Sequence, residues 1–160
     1  MSIKSLPILI LLFWGIGSNN EAKYHKEYYE SGRTKSEGWL ENGIKNGYWK
    51  FYHKNGKIAE QGHFKKDVRE RYWHFYNPNK MRIKEGGYSN GEMANWWIFY
   101  DTQGRVNHKC QLYNGKKNGY CLKYKNEKLI SAEKYENGTK VKEWFSFVGF
   151  RRENKLSDLK

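Results

Sequence analysis

Residues 47–56 read Gly47-Tyr48-Trp49-Lys50-Phe51-Tyr52-His53-Lys54-Asn55-Gly56, and the chain rewrites this stretch at a nearly fixed interval. Tyr52 returns as Tyr76, Tyr100 and Tyr124, a step of 24 residues each time, and Phe51 returns as Phe75 and Phe99. Trp49 returns as Trp73 and Trp97, gives way to Cys121 and reappears as Trp144. Self-similarity at such a period marks an array of supersecondary units, each stacked on its neighbours.

Two turns punctuate each unit. One follows the aromatic pair, at Ser31-Gly32, Asn55-Gly56, Pro78-Asn79 and Gln103-Gly104, residues that tolerate positive φ or fix a turn's first corner. A strand then runs to an aromatic or Leu position, occupied by Leu40, Phe64, Tyr88, Leu112 and Tyr135. The second turn falls at Asn42-Gly43, Lys66-Asp67, Asn90-Gly91, Asn114-Gly115 and Asn137-Gly138, and Asn-Gly between strands is the strongest short hairpin signal. The reading is all-β: a tandem repeat of about five antiparallel β-hairpins in an elongated twisted sheet, its strands near 33–40, 47–53, 57–65, 71–77, 81–88, 95–100, 105–112, 119–125, 129–135 and 142–148. Such a ribbon is roughly 43 Å long at about 4.8 Å per strand.

Composition agrees. Thirteen Tyr, seven Trp and eight Phe put most apolar area in rings, which suit half-buried strands. The net charge of +13 predicts salt-dependent attraction to anionic surfaces, although Lys also keeps exposed strands soluble and blunts sheet edges; both readings stand. Residues 1–17, with Lys4, an apolar run from Leu6 to Ile16 and Gly15-Ile16-Gly17, read as a secretory signal peptide. The run is short of the ~20 residues that span a bilayer, with an uncleaved signal anchor as the minor alternative. Residues 18–27 then read as a polar leader, 28–148 as the repeat array, and 149–160 as a charged tail that either caps the last hairpin or stays loose. An exported location, periplasmic, envelope-associated or secreted, is expected.

The pleat separates two faces. Trp49, Phe51, Trp73, Phe75, Trp97 and Phe99 share one; Tyr48, Lys50, Tyr52, Tyr72, Tyr76, Trp96, Tyr100, Tyr120 and Tyr124 share the other and form the candidate binding face. Centring each hairpin on its turn sets Gly38 opposite Trp49, Gly62 opposite Trp73 and Gly86 opposite Trp97, a ring covering a bare strand glycine. In the fourth unit both members of that pair change together, to Cys110 and Cys121. Directly opposed strand residues lie within disulfide range, so a Cys110–Cys121 bond is expected, with two buried free thiols as the alternative.

No catalytic constellation is legible. His25, His53, His63, His74 and His108 are scattered and read as surface residues; Glu30, Glu37, Glu60 and Glu85 show no acid/base pairing; no phosphate loop or metal-ligand spacing occurs. No cofactor, metal or enzymatic activity is expected. Asn137-Gly138-Thr139 matches a glycosylation sequon and coincides with a turn.

The unit resembles the variant MORN (membrane occupation and recognition nexus) repeat of bacterial proteins grouped as YwqK-type antitoxins. The resemblance covers about residues 28–148 and rests on Gly32, Gly56 and Gly104, on Asn42-Gly43, Asn90-Gly91, Asn114-Gly115 and Asn137-Gly138, and on Gly47-Tyr48-Trp49 and Gly119-Tyr120. Arg71 and Trp96 near the Gly47 slot, Asp67 at a turn and the Cys pair depart from it. It implies stacked hairpins with a binding or scaffolding role; beside an export signal, the antitoxin label implies an exported immunity or inhibitor protein. Other MORN-repeat proteins are associated with membranes and acidic lipids.

The leading expectation is an exported module that meets a protein partner through its Tyr-rich face and basic residues. The alternative is a polyanion binder for acidic lipid or lipopolysaccharide through Lys50, Lys54, Lys65, Lys66, Lys116 and Lys117; an exported compartment argues against nucleic acid. Carbohydrate on the aromatic face is a third reading, and the oligomeric state is left open.

Overall fold

The computed structural model describes residues 21–159; the signal-peptide reading of residues 1–17 lies outside them. Eleven strands form one open, twisted antiparallel sheet in strict chain order: β1 Ala22–Tyr28, β2 Thr34–Glu41, β3 Ile44–Tyr52, β4 Ile58–Lys65, β5 Val68–Tyr76, β6 Arg82–Ser89, β7 Glu92–Tyr100, β8 Val106–Tyr113, β9 Lys116–Lys125, β10 Lys128–Glu136 and β11 Thr139–Trp144. A short helix, α1, Phe147–Glu153, and a 3-10 turn, Leu156–Leu159, follow. The repeat of β-hairpins expected from the 24-residue step is the fold.

The two ends of the array differ from the sequence reading. Most of the polar leader is strand β1, paired with β2 from Ala22 opposite Glu41 to Tyr28 opposite Thr34. It is exposed along its whole length at the sheet edge, so no apolar alternation marks it. The tail beyond Gly149 is not loose: it belongs to α1 and the 3-10 turn, and Ser146 caps α1 by accepting from the Gly149 amide at 3.1 Å. Helix formation from Phe147 also ends β11 at Trp144, short of the expected strand end.

The second strand of each hairpin starts earlier than expected because the turns are tight. Asn42-Gly43, Asn90-Gly91, Asn114-Gly115 and Asn137-Gly138 all have positive φ at both residues, which matches the twist of the flanking strands. Lys66-Asp67 and Asn126-Glu127 adopt the same conformation without glycine. Two residues, Gly47 and Tyr48, are absorbed by a bulge: Gly38 pairs with Trp49 but Trp39 pairs with Asn46. Gly47, Arg71, Asn95 and Gly119 fill this bulge slot in successive units, all with positive φ.

The bulge prepares the site of the tryptophans. Gly38 faces Trp49 and Gly86 faces Trp97 across their hairpins, and Trp73 lies on Gly62 so closely that a Cβ there would meet the ring at 2.2 Å. Each indole Nε1 donates to the carbonyl of the residue after its glycine: Trp49 to Trp39 at 3.0 Å, Trp73 to His63 at 3.1 Å and Trp97 to Gly87 at 2.9 Å. Cys110 and Cys121 continue the row as a directly opposed, disulfide-bonded pair. The expected substitution of a crosslink for a glycine–tryptophan contact is what the fold contains.

A single sheet has no second layer, yet Trp49, Trp73 and Trp97 are at most 1% exposed. Their outer surfaces are covered by a stripe with the same 24-residue step. Lys45, Arg69, Met93 and Lys117 stand opposite Leu40, Phe64, Tyr88 and Leu112. The Lys45 ammonium lies 5.5 Å from the Trp49 ring, and the Arg69 guanidinium lies 4.3 Å from that of Trp73. Met93 packs on the same core, and the Lys117 ammonium lies 4.5 Å from the Tyr135 ring. Long side chains thus supply stems to shield the rings and charges for cation–π contact.

Trp144 does not rejoin this row. It follows Cys121 by one residue fewer than the repeat step, and a one-residue slip turns a side chain to the other face. Glu143 takes the row position, opposite Glu133, while Trp144 pairs with Ala132 and packs with Tyr120 and Phe150 under α1.

Candidate functional site

The opposite face carries Tyr48, Lys50, Tyr52, Tyr72, Tyr76, Trp96, Tyr100, Tyr120 and Tyr124, as alternation along β3, β5, β7 and β9 requires. Neighbouring residues separate these positions into three groups.

Tyr52, Tyr76 and Tyr100 are tied into the sheet. Each meets a polar side chain fifteen residues earlier, on the adjacent strand: Tyr52 donates to Glu37 at 2.5 Å, Tyr76 accepts from Gln61 at 3.4 Å, and Tyr100 donates to Glu85. Tyr124 keeps the slot, with the Lys109 ammonium 5.6 Å from its ring. Glu85, only 6% exposed, also accepts from Arg82 at 3.0 Å and faces His74 Nδ1 at 2.8 Å. Burial pushes its carboxyl upward, but hydrogen bonds from Tyr100 and His74 and the Arg82 charge hold it below the usual carboxylate range. Glu37 is also held low, chiefly by the Tyr52 hydroxyl, with Lys26 assisting at 3.2 Å. Burial, with Glu37 alongside, pushes the Tyr52 phenol well above its ordinary value.

A second group is covered by the C-terminal cap. Tyr120 is 6% exposed; its ring meets Phe150 at 5.5 Å and its hydroxyl donates to Asn154 at 2.6 Å. Trp96 packs against the same cluster. Tyr120 therefore serves the cap, and the structure removes it from the accessible binding face.

The third group is open. Tyr48 and Tyr72 are joined on the N-terminal half of the sheet by Tyr24 and Trp39, all four between 39% and 47% exposed. Tyr24 meets Trp39 edge-on at 5.3 Å, Tyr48 meets His63 at 4.9 Å and Tyr72 meets His74 at 5.1 Å. Lys50 lies half-buried in the ladder between Glu37 and Gln61. The sequence reading missed Tyr24 because β1 was read as a leader, and Trp39 because it falls beside a bulge.

The histidines are less exposed than expected. Among the five, His25 is exposed and His53, His63, His74 and His108 are half-buried; His53 Nε2 lies 2.8 Å from the Tyr76 carbonyl. Burial and the Lys117 charge lower the pKa of His108. Among the described residues, no group of three or more His, Cys, Asp or Glu is placed to hold a metal ion. The six lysines of the polyanion reading do not converge on one spot. Lys54 lies at one end of the strands, while Lys65, Lys66, Lys116 and Lys117 line the opposite, Asn-Gly end.

Compared with known proteins, the chain matches no family model, and no curated protein matches it.

Proposed function

We propose that this chain is an exported, non-enzymatic binding module of the MORN-like type that uses Tyr24, Trp39, Tyr48 and Tyr72 to engage a protein partner. The carrying observation is the division of the aromatic face. Most of its rings are tied down or capped, whereas these four remain exposed on the N-terminal half of the sheet, Tyr24 and Trp39 in edge-on contact. Rigid aromatic side chains bring large contact area with little conformational entropy to lose, which is why they dominate interface hot spots. The Cys110–Cys121 disulfide supports export, since such bonds persist in oxidising compartments. An immunity or inhibitor role against an exported toxin is the specific form of this reading.

The experiment is affinity capture from envelope and medium fractions at high salt, comparing the wild type with a Tyr48→Ser/Tyr72→Ser variant. A specific partner retained by the wild type and lost by the variant is expected, with unchanged melting temperature. Equal capture by both overturns the assignment of the face. The polyanion reading, supported by the net charge of +13, predicts instead binding to anionic vesicles that disappears as salt is raised.

A further inference from the structure

At the end of the sheet remote from the aromatic quartet, the C-terminal cap leaves an apolar cavity of about 270 Å³. Leu129, Ile130 and Ala132 of β10 form one wall, Phe147 and Phe150 of α1 a second, and Leu156 with Leu159 the third. Its lip is open: Phe145 is 78% exposed, and Leu129, Phe147 and Leu156 are each at least half exposed. Exposed apolar side chains clustered around a concavity are a recognised mark of a ligand or interaction site.

Basic residues accompany the helical walls: Arg151 and Arg152 follow Phe150, and Lys155 precedes Leu156, all exposed. The Arg151 guanidinium sits 5.6 Å from the Phe147 ring that forms the lip. The nearby acids are engaged: Glu153 pairs with Lys142, and Asp158 accepts from the Lys155 amide at 3.2 Å. A largely apolar slot with a guanidinium at its lip suits an apolar chain ending in an anion. Small-molecule pockets run upward from about 300 Å³, so this one suits a single slender chain better than a fused ring system.

We propose that the pocket between β10, α1 and the 3-10 turn binds one alkyl chain of an anionic amphiphile, a fatty acid or the acyl chain of an acidic lipid, with the headgroup held by Arg151, Arg152 and Lys155. The site lies outside the repeating unit and is independent of the aromatic quartet. The cap therefore has two roles: it covers Tyr120 and Trp144, and it presents this slot.

The test is titration of the full chain with dansylaminoundecanoic acid below its aggregation concentration, followed by displacement. Saturable, blue-shifted fluorescence is expected, displaced by dodecanoate but not by dodecyltrimethylammonium. The Leu129→Asp/Leu156→Asp variant alters two side chains that are already half exposed, so its melting temperature is expected to hold while affinity falls about tenfold or more. Arg151→Glu/Arg152→Glu is expected to weaken dodecanoate and leave an uncharged dodecanol competitor unaffected. Phosphatidylglycerol vesicles form the separate arm that distinguishes a bilayer from a free chain. No saturable binding, equal displacement by the cationic amphiphile, or wild-type affinity in the aspartate variant overturns the proposal. Binding to vesicles without binding of the monomeric probe also overturns it, because the cap would then be a membrane-docking surface with no chain site.

Discussion

Replacing Gly62 by alanine tests the packing device on which the whole array depends. A Cβ at this position lies 2.2 Å from Trp73 Cδ2 and 2.4 Å from Cγ and Cε2, against ordinary carbon contacts of about 3.5–4 Å. The indole must therefore rise by more than ~1 Å. It has nowhere easy to go: Phe64 meets it edge-on at 5.0 Å, Phe51 stacks at 6.4 Å and the Arg69 guanidinium covers it at 4.3 Å. Overpacking of this kind costs about 1–3 kcal/mol, and the displaced Nε1 loses a net ~1 kcal/mol from its bond to the His63 carbonyl. The backbone entropy recovered by removing a strand glycine returns roughly 0.5–1 kcal/mol. The net loss is about 2 kcal/mol, a fall in Tm of ~6 °C for a domain of this size, readable by far-UV circular dichroism. A double-mutant cycle isolates the cause. In a Trp73→Ala background the same Gly62→Ala change should be neutral or stabilising, because the methyl group then fills space the ring has left. Gly87→Ala is the control, since a methyl there meets nothing closer than the Ala94 carbonyl at 3.4 Å; its effect should stay within about 0.5 kcal/mol. If Gly62→Ala costs the same with and without the indole, the glycine is not there to seat the ring and the reasoning is wrong.

Reducing the Cys110–Cys121 bond should lower stability by about 2–3 kcal/mol, seen as a drop in Tm with reductant; Cys110→Gly/Cys121→Trp, which restores the pair used in the other units, should recover most of this and become indifferent to reductant. Glu85 has its carboxyl held below the ordinary value of 4.5, so it contributes stability that is present above that pH and is lost as the pH falls toward the folded value; Glu85→Gln should flatten the loss of Tm between neutral pH and pH ~3, and an unchanged acid limb would show that the network with Tyr100, His74 and Arg82 does not govern it. Arg69→Ala should cost about 1–3 kcal/mol by uncovering Trp73 and leaving Glu60 without its 2.5 Å partner, whereas Arg69→Met with Glu60→Gln should remain close to wild type in urea unfolding, because Met93 already fills the equivalent slot.

Which features are legible in the sequence depends on whether they share the repeat. The hairpins, the glycine–tryptophan register and the cysteine substitution all follow from residues recurring at one step, and the structure contains them. The covering stripe of Lys45, Arg69, Met93 and Lys117 recurs at that step too, but its members differ chemically. A cation and a methionine look unrelated until both are seen packed against the aromatic core. The tie from Tyr52, Tyr76 and Tyr100 back to Glu37, Gln61 and Glu85 was hidden for a related reason. It joins diagonal neighbours, each tyrosine lying two residues along its strand from the residue that faces the Glu or Gln, and the partner position changes between Glu and Gln. Strand β1 carries no periodic signal because an exposed edge strand has no buried face to encode. The cap was invisible for the opposite reason: it is not part of the repeat, and its buried residue, Phe150, stands in a stretch otherwise dominated by charge.

The two ends of the array are finished differently, and this bears on where a partner can bind. A linear repeat must end somewhere, and an open sheet edge offers unpaired backbone groups to any passing strand. At the C-terminal end the chain turns back as α1 and lays Phe150 across Tyr120 and Trp144, using up the aromatic face there. At the N-terminal end no helix is added among the described residues; β1 is instead dressed with Lys23, His25, Lys26 and Glu27 on an exposed strand. Charge discourages edge pairing without covering either face, so Tyr24, Trp39, Tyr48 and Tyr72 stay accessible. Had the molecule needed only to terminate its sheet, a second cap over these rings would serve better, since four exposed aromatic side chains offer a surface prone to nonspecific contact. Bare rings at one end beside capped counterparts at the other are the asymmetry on which the proposed binding face rests.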